Sequence, residues 1–138
     1  MNRLVLDCSV TMAWCFENES DPRAEALLDA MSSSTAYVPG VWALEVANVL
    51  IVAERRGRLS EADADAFVSR IQEMSIEEEP IGACEVLNRM RSVAGRYGLS
   101  AYDAAYLELA MRLGIALGTL DAKLAQAAES AGVQLALR

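Results

Sequence analysis

The sequence predicts an α/β protein built on a mainly parallel sheet. Two observations carry that prediction. Short apolar runs alternate along the chain with longer segments of helical character, which is the order of strand and helix taken in turn. The first of those runs, residues 3–7 (RLVLD), is apolar at consecutive positions before its closing Asp. A strand reads that way when both of its faces are covered, as in a parallel sheet with helices above and below.

The elements follow in order. Asp21-Pro22 opens a helix, Asp suiting the N-cap and Pro the first helical position; it runs to about residue 31 and a Ser-Ser-Ser-Thr stretch closes it. Residues 36–38 form a short second strand stopped by Pro39-Gly40. A helix carrying VWALEVANVLIVA (residues 41–53) continues to about residue 56 and ends at Gly57. Ser60 and Asp63 make a capping box that opens a helix to about residue 73. Residues 74–78 are a brief strand whose acids place it at a sheet edge. Residues 80–97 are helical up to Gly98, and Ser100 and Asp103 cap the next helix, AYDAAYLELAMRLG. An apolar strand at 115–118 precedes Asp121, which caps a helix over 122–131, and VQLAL closes the chain as a strand alternating Val133, Leu135 and Leu137. No element is assigned between Asp7 and Asp21. There is no repeat or long linker, and 138 residues fit one domain over 1–138.

Composition narrows the chemistry. The chain has no histidine, which removes His-based acid–base catalysis, Ser-His-Asp triads and His metal sites together. A net charge of −8 argues against nucleic-acid binding by bulk charge, although it leaves room for a nuclease whose cations are metal ions. Three cysteines without CxxC spacing, and a start without a long apolar segment, point to a reduced, cytoplasmic chain. No apolar run approaches the roughly 20 residues of a membrane span. The hydrophobic content of 54% exceeds the usual ~45–50% and suggests that part of the apolar surface is covered by a second copy.

Four acids stand out by position: Asp7, Glu45, Asp103 and Asp121. Asp7 ends the first strand and Asp121 follows the 115–118 strand by a short loop. Ligands of open α/β sheets gather at the carboxyl ends of strands, near the reversal in strand order. Glu45 and Asp103 lie in the early turns of helices that follow loops. Meeting at one edge, the four would repel one another unless cations neutralised them, and all-oxygen ligands suit Mg²⁺ or Mn²⁺.

Each acid also has a plainer explanation. Asp7 can bond the turn that follows it; Asp103 and Asp121 can simply cap their helices; Glu45 can pair with one of the arginines. Glu45 is the hardest to explain so, because it lies in an apolar run and its nearest polar stripe-mate is Asn48, three residues on. Ser9 and Thr119, each two residues from an acid, can orient a carboxylate or a water, or bond the backbone as turn hydroxyls do. Tyr102 and Tyr106 flank Asp103, and Tyr106 reads as core. Lys123 can touch a phosphate or lie solvated on its helix. Arg55, Arg56, Arg58, Arg89, Arg91 and Arg96 are candidates for steering phosphates, or ordinary surface charges.

Taken together, LVLDCSV, ALEVANVL, LSAYDAAYLELA and LGTLDAKLAQAA resemble, in order and spacing, the PIN-domain ribonucleases, and most closely the VapC toxins of bacterial toxin–antitoxin pairs. The resemblance runs nearly end to end. It implies a PIN-like three-layer α/β/α sandwich with a mainly parallel central sheet, and an acidic pocket holding Mg²⁺ or Mn²⁺. It further implies hydrolysis of single-stranded RNA, a small antitoxin that blocks the pocket, and a homodimer. On this reading Asp7, Asp103 and Asp121 ligate metal, Glu45 ligates or orients the attacking water, and Asn48 holds Glu45 by a hydrogen bond. Without histidine, a metal-activated water is the expected nucleophile. Two other readings are weighed against this one. A PIN fold that binds a partner without cutting is disfavoured by the presence of all four acids. A haloacid-dehalogenase-like phosphatase needs a second Asp where Ser9 stands.

Overall fold

The structure, a computed structural model, describes residues 2–137. Four strands, β1 (Asn2–Leu6), β2 (Ser34–Pro39), β3 (Ile76–Glu79) and β4 (Ala116–Gly118), form one sheet in the order β3-β2-β1-β4. All three pairings are parallel. Leu4, Val5 and Leu6 of β1 are all buried. Successive strand residues point to opposite faces, so both faces of the sheet are covered by helices, as the apolar run predicts.

The helices are α1 (Cys8–Cys15), α2 (Pro22–Ala30), α3 (Gly40–Arg55), α4 (Glu61–Gln72), α5 (Ala83–Glu85), α6 (Arg91–Tyr97), α7 (Ala101–Leu113) and α8 (Ala122–Ser130). The four starts predicted from a capping side chain hold. The side chains of Asp21, Ser60, Ser100 and Asp121 accept from the backbone N–H groups of Arg23, Asp63, Asp103 and Leu124. Gly57 and Gly98 take positive φ at the ends of α3 and α6, the left-handed turn that favours glycine. β3 lies at a sheet edge, as its acids suggested. Among the described residues no helix is long and apolar enough to cross a membrane.

Three expectations are corrected. Helix α1 was not foreseen, because Cys8, Val10, Thr11, Met12, Ala13 and Trp14 are all buried. A helix covered nearly all round shows no amphipathic stripe, and Asp7 offers α1 no side-chain cap. The predicted helix over 80–97 begins later, at Ala83, and carries a π-helical turn, Val86–Met90, between α5 and α6. The closing strand is reduced to a single bridge, Leu117 to Leu135, in which Leu117 accepts from Ala136 and donates to Gln134. The three residues of β4 leave no longer ladder to join.

Two buried indoles fasten α1. Trp14 Nε1 donates to the Ala24 carbonyl at 2.7 Å, tying α1 to α2. Trp42 Nε1 donates to Thr11 Oγ1 at 3.0 Å, tying α3 to α1. Thr11→Val leaves the Trp42 N–H buried without a partner, so urea unfolding should show a loss of about 1–3 kcal/mol. A variant as stable as wild type would show that this bond does not hold α3 in place.

Candidate active site

The strand order turns back on itself at β1. The chain steps from β1 to β2 to β3 on one side, then returns to place β4 on the other. In open α/β sheets such a reversal marks where ligands gather, at the carboxyl ends of the strands, here β1 and β4. Pairing of Leu6 with Gly118 sets the register, and the Asp7 N–H extends it by donating to the Gly118 carbonyl at 3.0 Å. The next residues, Asp7 and Thr119, are therefore side by side. Helix α3 starts directly after β2, and α7 runs back toward the start of β4, so the first turns of both lie at the same edge. Asp103 rides on the first turn of α7, and Glu45 stands one turn into α3, on the stripe that begins at Val41.

Asp7 is buried and firmly held. Its Oδ2 accepts from Thr119 Oγ1 at 2.6 Å and from Ser9 Oγ at 2.7 Å. Each hydroxyl is fixed in turn by the loop between β4 and α8: the Leu120 N–H donates to Ser9 and the Asp121 N–H to Thr119. The turn-hydroxyl and carboxylate-orienting readings of Ser9 and Thr119 are thus both realised.

Glu45 is half-buried and accepts from Tyr106 Oη at 2.6 Å. The expected bond from Asn48 is absent; Asn48 lies exposed on α3, and the donor is the fully buried Tyr106. Tyr106 shares a helix stripe with Asp103, three residues earlier, and that spacing was the available signal for its role. Asp121 lies at the N-cap of α8, where its Oδ1 accepts from the Leu124 N–H at 2.9 Å. Its capping role is real and leaves a second oxygen.

The four acids share one electrostatic environment. Burial raises the Asp7 pKa above its ordinary 3.8, against the hydroxyl hydrogen bonds that lower it, and Asp121 raises it further. Glu45 is raised by burial and then by Asp7 and Asp103. Asp103 is raised by burial and then by Asp7 and Asp121, with Lys123 pulling the other way. The Cys8 thiol is pushed up to about 12 by burial and by Glu45 and Asp7, so it is no thiolate nucleophile. Among the described residues none of the four acids has an ion-pair partner.

With side chains as they stand, no three His, Cys, Asp or Glu groups among the described residues are grouped to hold a common ion. One oxygen of each of Asp7, Glu45 and Asp121 is already engaged within the protein. The donor set nevertheless fits a hard divalent cation: carboxylate oxygens only, with no ion-paired cation among the described residues.

The class is now defined: residues 4–130 match the PIN domain family, and the chain belongs to it. It is 32% identical over 124 residues to ribonuclease VapC3 of Pyrobaculum aerophilum, an alignment covering 90% of this chain and 93% of that protein. Its fold resembles VapBC2 of Rickettsia felis bound to a promoter DNA fragment, with a TM-score of 0.68, 11% identity and 96% of each chain covered. It also resembles VapC20 of Mycobacterium tuberculosis, a toxin that cleaves the sarcin–ricin loop, with a TM-score of 0.66, 16% identity and 98% of each chain covered.

A raised folded-state pKa favours the protonated form. That contribution to stability is fully present below the unfolded pKa and is lost as pH rises through the folded one. In EDTA, Asp7→Asn, which keeps an amide oxygen for both hydroxyls, should therefore melt above wild type near neutral pH, and the gap should close toward about pH 4. Melting curves across that range check this; a variant less stable than wild type throughout would show that Asp7 stabilises the fold as a carboxylate.

Proposed function

We propose that this chain is a metal-dependent ribonuclease toxin of a toxin–antitoxin pair that hydrolyses single-stranded RNA. The observation that carries the reading is the set Asp7, Glu45, Asp103 and Asp121 at the reversal of strand order in a PIN fold, the first three raised by burial and by neighbouring carboxylates and none of the four ion-paired among the described residues. The ribonuclease relative and the VapBC neighbour support the activity and the presence of an antitoxin partner. The site residues are those read from the sequence: Asp7, Asp103 and Asp121 would hold Mg²⁺ or Mn²⁺, with Glu45 beside them. Bound there, the ion supplies Lewis acidity that activates water at neutral pH and offsets negative charge on the phosphate.

The chain's own residues do the rest. Ser9 and Thr119 fix the rotamer of Asp7 so that one carboxylate orientation is presented. Tyr106 pins one oxygen of Glu45, leaving the other to orient the attacking water. Arg58 and Arg89 are engaged by Glu19 and by Glu85 and Glu108, and Arg96 lies over the Tyr97 ring. Arg55, Arg56 and Arg91 are exposed and make no ion pair among the described residues, which makes them the better candidates for steering RNA. Exposed Leu44, Ile51 and Val68 on α3 and α4 supply apolar surface for a homodimer.

Asp103→Asn should reduce cleavage of labelled single-stranded RNA in Mg²⁺ by more than about 100-fold, and Tyr106→Phe, one step removed from the ion, by about 10–100-fold. Full activity of Asp103→Asn, or undiminished cutting in EDTA, would refute the metal-dependent reading. RNA binding by wild type should require Mg²⁺ or Mn²⁺, whereas Asp121→Asn should bind slightly better than wild type in EDTA, having lost a repelling charge. Filter binding of RNA by both proteins, with and without the ion, separates charge repulsion from ligand loss; equal wild-type binding in both conditions contradicts it.

A further inference from the structure

A cleft of about 410 Å³ opens along α7, from Ala101 to Arg112, against the first turn of α3 and the loop after β3. That size is typical of small-molecule sites, which span about 300–1,000 Å³. Its apolar walls include Val41, Ile81, Val86, Met90, Tyr102 and Leu109. Its position ties it to the acids. Val41 lies one turn before Glu45 on the same stripe of α3, and on α7 the lining residues Tyr102, Ala105 and Leu109 form the stripe beside the one that carries Asp103 and Tyr106. Tyr102 is 63% exposed, so its ring is open to a stacking partner.

The charges around the cleft select what enters it. Glu78 and Glu79 stand in its wall, and Glu78 reaches over the first residue of α3, where a Cβ on Gly40 would lie 3.2 Å from its Oε1. The guanidinium lining the cleft, that of Arg112, has its Nε engaged by Glu108 at 2.8 Å. An anionic wall repels phosphate and cannot be left facing a purely apolar side chain without losing its hydrogen-bond partners. It suits a neutral, flat, apolar-faced ring with N–H donors on its edge. Amino-bearing nucleobases have that character: cytosine offers its N4 amino group to Glu or Asp, and adenine and guanine carry exocyclic amino groups.

We propose that this cleft receives one unpaired nucleobase of the RNA strand next to the phosphate at the acids, with Tyr102 as its stacking surface and Glu78 and Glu79 as acceptors for its N–H donors. The inference rests on the ribonuclease reading and adds to it a base preference beside the cut. Recognition through a splayed, stacked base also restricts the substrate to single-stranded segments, because a base in a helix cannot enter.

Two measurements test it separately. Amide shifts of ¹⁵N-labelled protein are followed in EDTA during titration with cytidine, adenosine, guanosine or uridine, so that no catalysis is involved. Random-sequence single-stranded RNA is then cut in Mg²⁺ by wild type, Tyr102→Ala and Glu78→Gln, and the ends are sequenced. Cytidine or a purine nucleoside should shift the amides of Val41, Ile81 and Tyr102 more than uridine does. Tyr102→Ala should lower kcat/KM by about 5- to 150-fold, the range given by loss of one base–aromatic stack. Glu78→Gln, which exchanges an acceptor-only group for one that also donates, should change the preferred base beside the cut. Unshifted cleft amides, or cut patterns and rates unaltered in both variants, overturn the base site. Shifts of the same amides on simple dilution mark the cleft as a surface between copies and also overturn it. Nucleoside shifts in a protein that cuts no RNA uphold the base site and sink the ribonuclease reading instead.

Discussion

The carboxyl edge of the sheet depends on one register, Leu6 of β1 opposite Gly118 of β4. Parallel pairing carries both strands to the same end, and the Asp7 N–H to Gly118 carbonyl bond continues the ladder one step beyond the strands. Asp7 and Thr119 then stand together although 112 positions separate them, and the 2.6 Å hydrogen bond follows. Ser9 reaches the same oxygen because α1 begins immediately after Asp7. A one-residue slip of β4 would turn its side chains to the opposite face and dissolve the arrangement.

That placement sets stability against function. A buried carboxylate that meets other carboxylates is held in its charged form at a cost. The fold answers with hydroxyl donors to Asp7 and a phenol donor to Glu45, and among the described residues no arginine pairs with them. Hydroxyls stabilise a carboxylate without cancelling its charge, so the field of the site survives. An arginine in the same place would fill the site with its own cation. The choice of Ser, Thr and Tyr as partners therefore keeps the acids available to an external cation.

Much of this was legible in the sequence, for identifiable reasons. Strand β1 was visible because both of its faces are covered, and the edge position of β3 because its acids can tolerate only an edge. Helix starts were readable where a side chain caps them, at Asp21, Ser60, Ser100 and Asp121. The acids could be singled out because each stands at the end of a strand or the start of a helix. What escaped lacks a local signature. Helix α1 is buried nearly all round and uncapped; the π-helical turn has Met90 as its one buried residue and no local marker; the last strand pairs with a β4 too short to hold it. Helix spacing joins Asn48 to Glu45, but a residue on the same helix competes with tertiary neighbours, and Tyr106 from α7 makes the bond. The run VWALEVANVLIVA is apolar at all but two positions, yet Leu44 is 71% exposed. Apolar composition alone does not distinguish a face turned to the core from one turned outward.

The central claim is that these carboxylates are gathered to bind a divalent cation, and ion-dependent stability tests it most directly. A ligand that binds only the folded state stabilises it by about 2.7 kcal/mol at 100 times its Kd. Wild type should therefore gain melting temperature steadily as Mn²⁺ is added near neutral pH. Asp7→Asn and Asp103→Asn should gain far less over the same titration. A wild-type melting temperature unmoved by Mn²⁺, or an equal gain in both variants, would contradict the account.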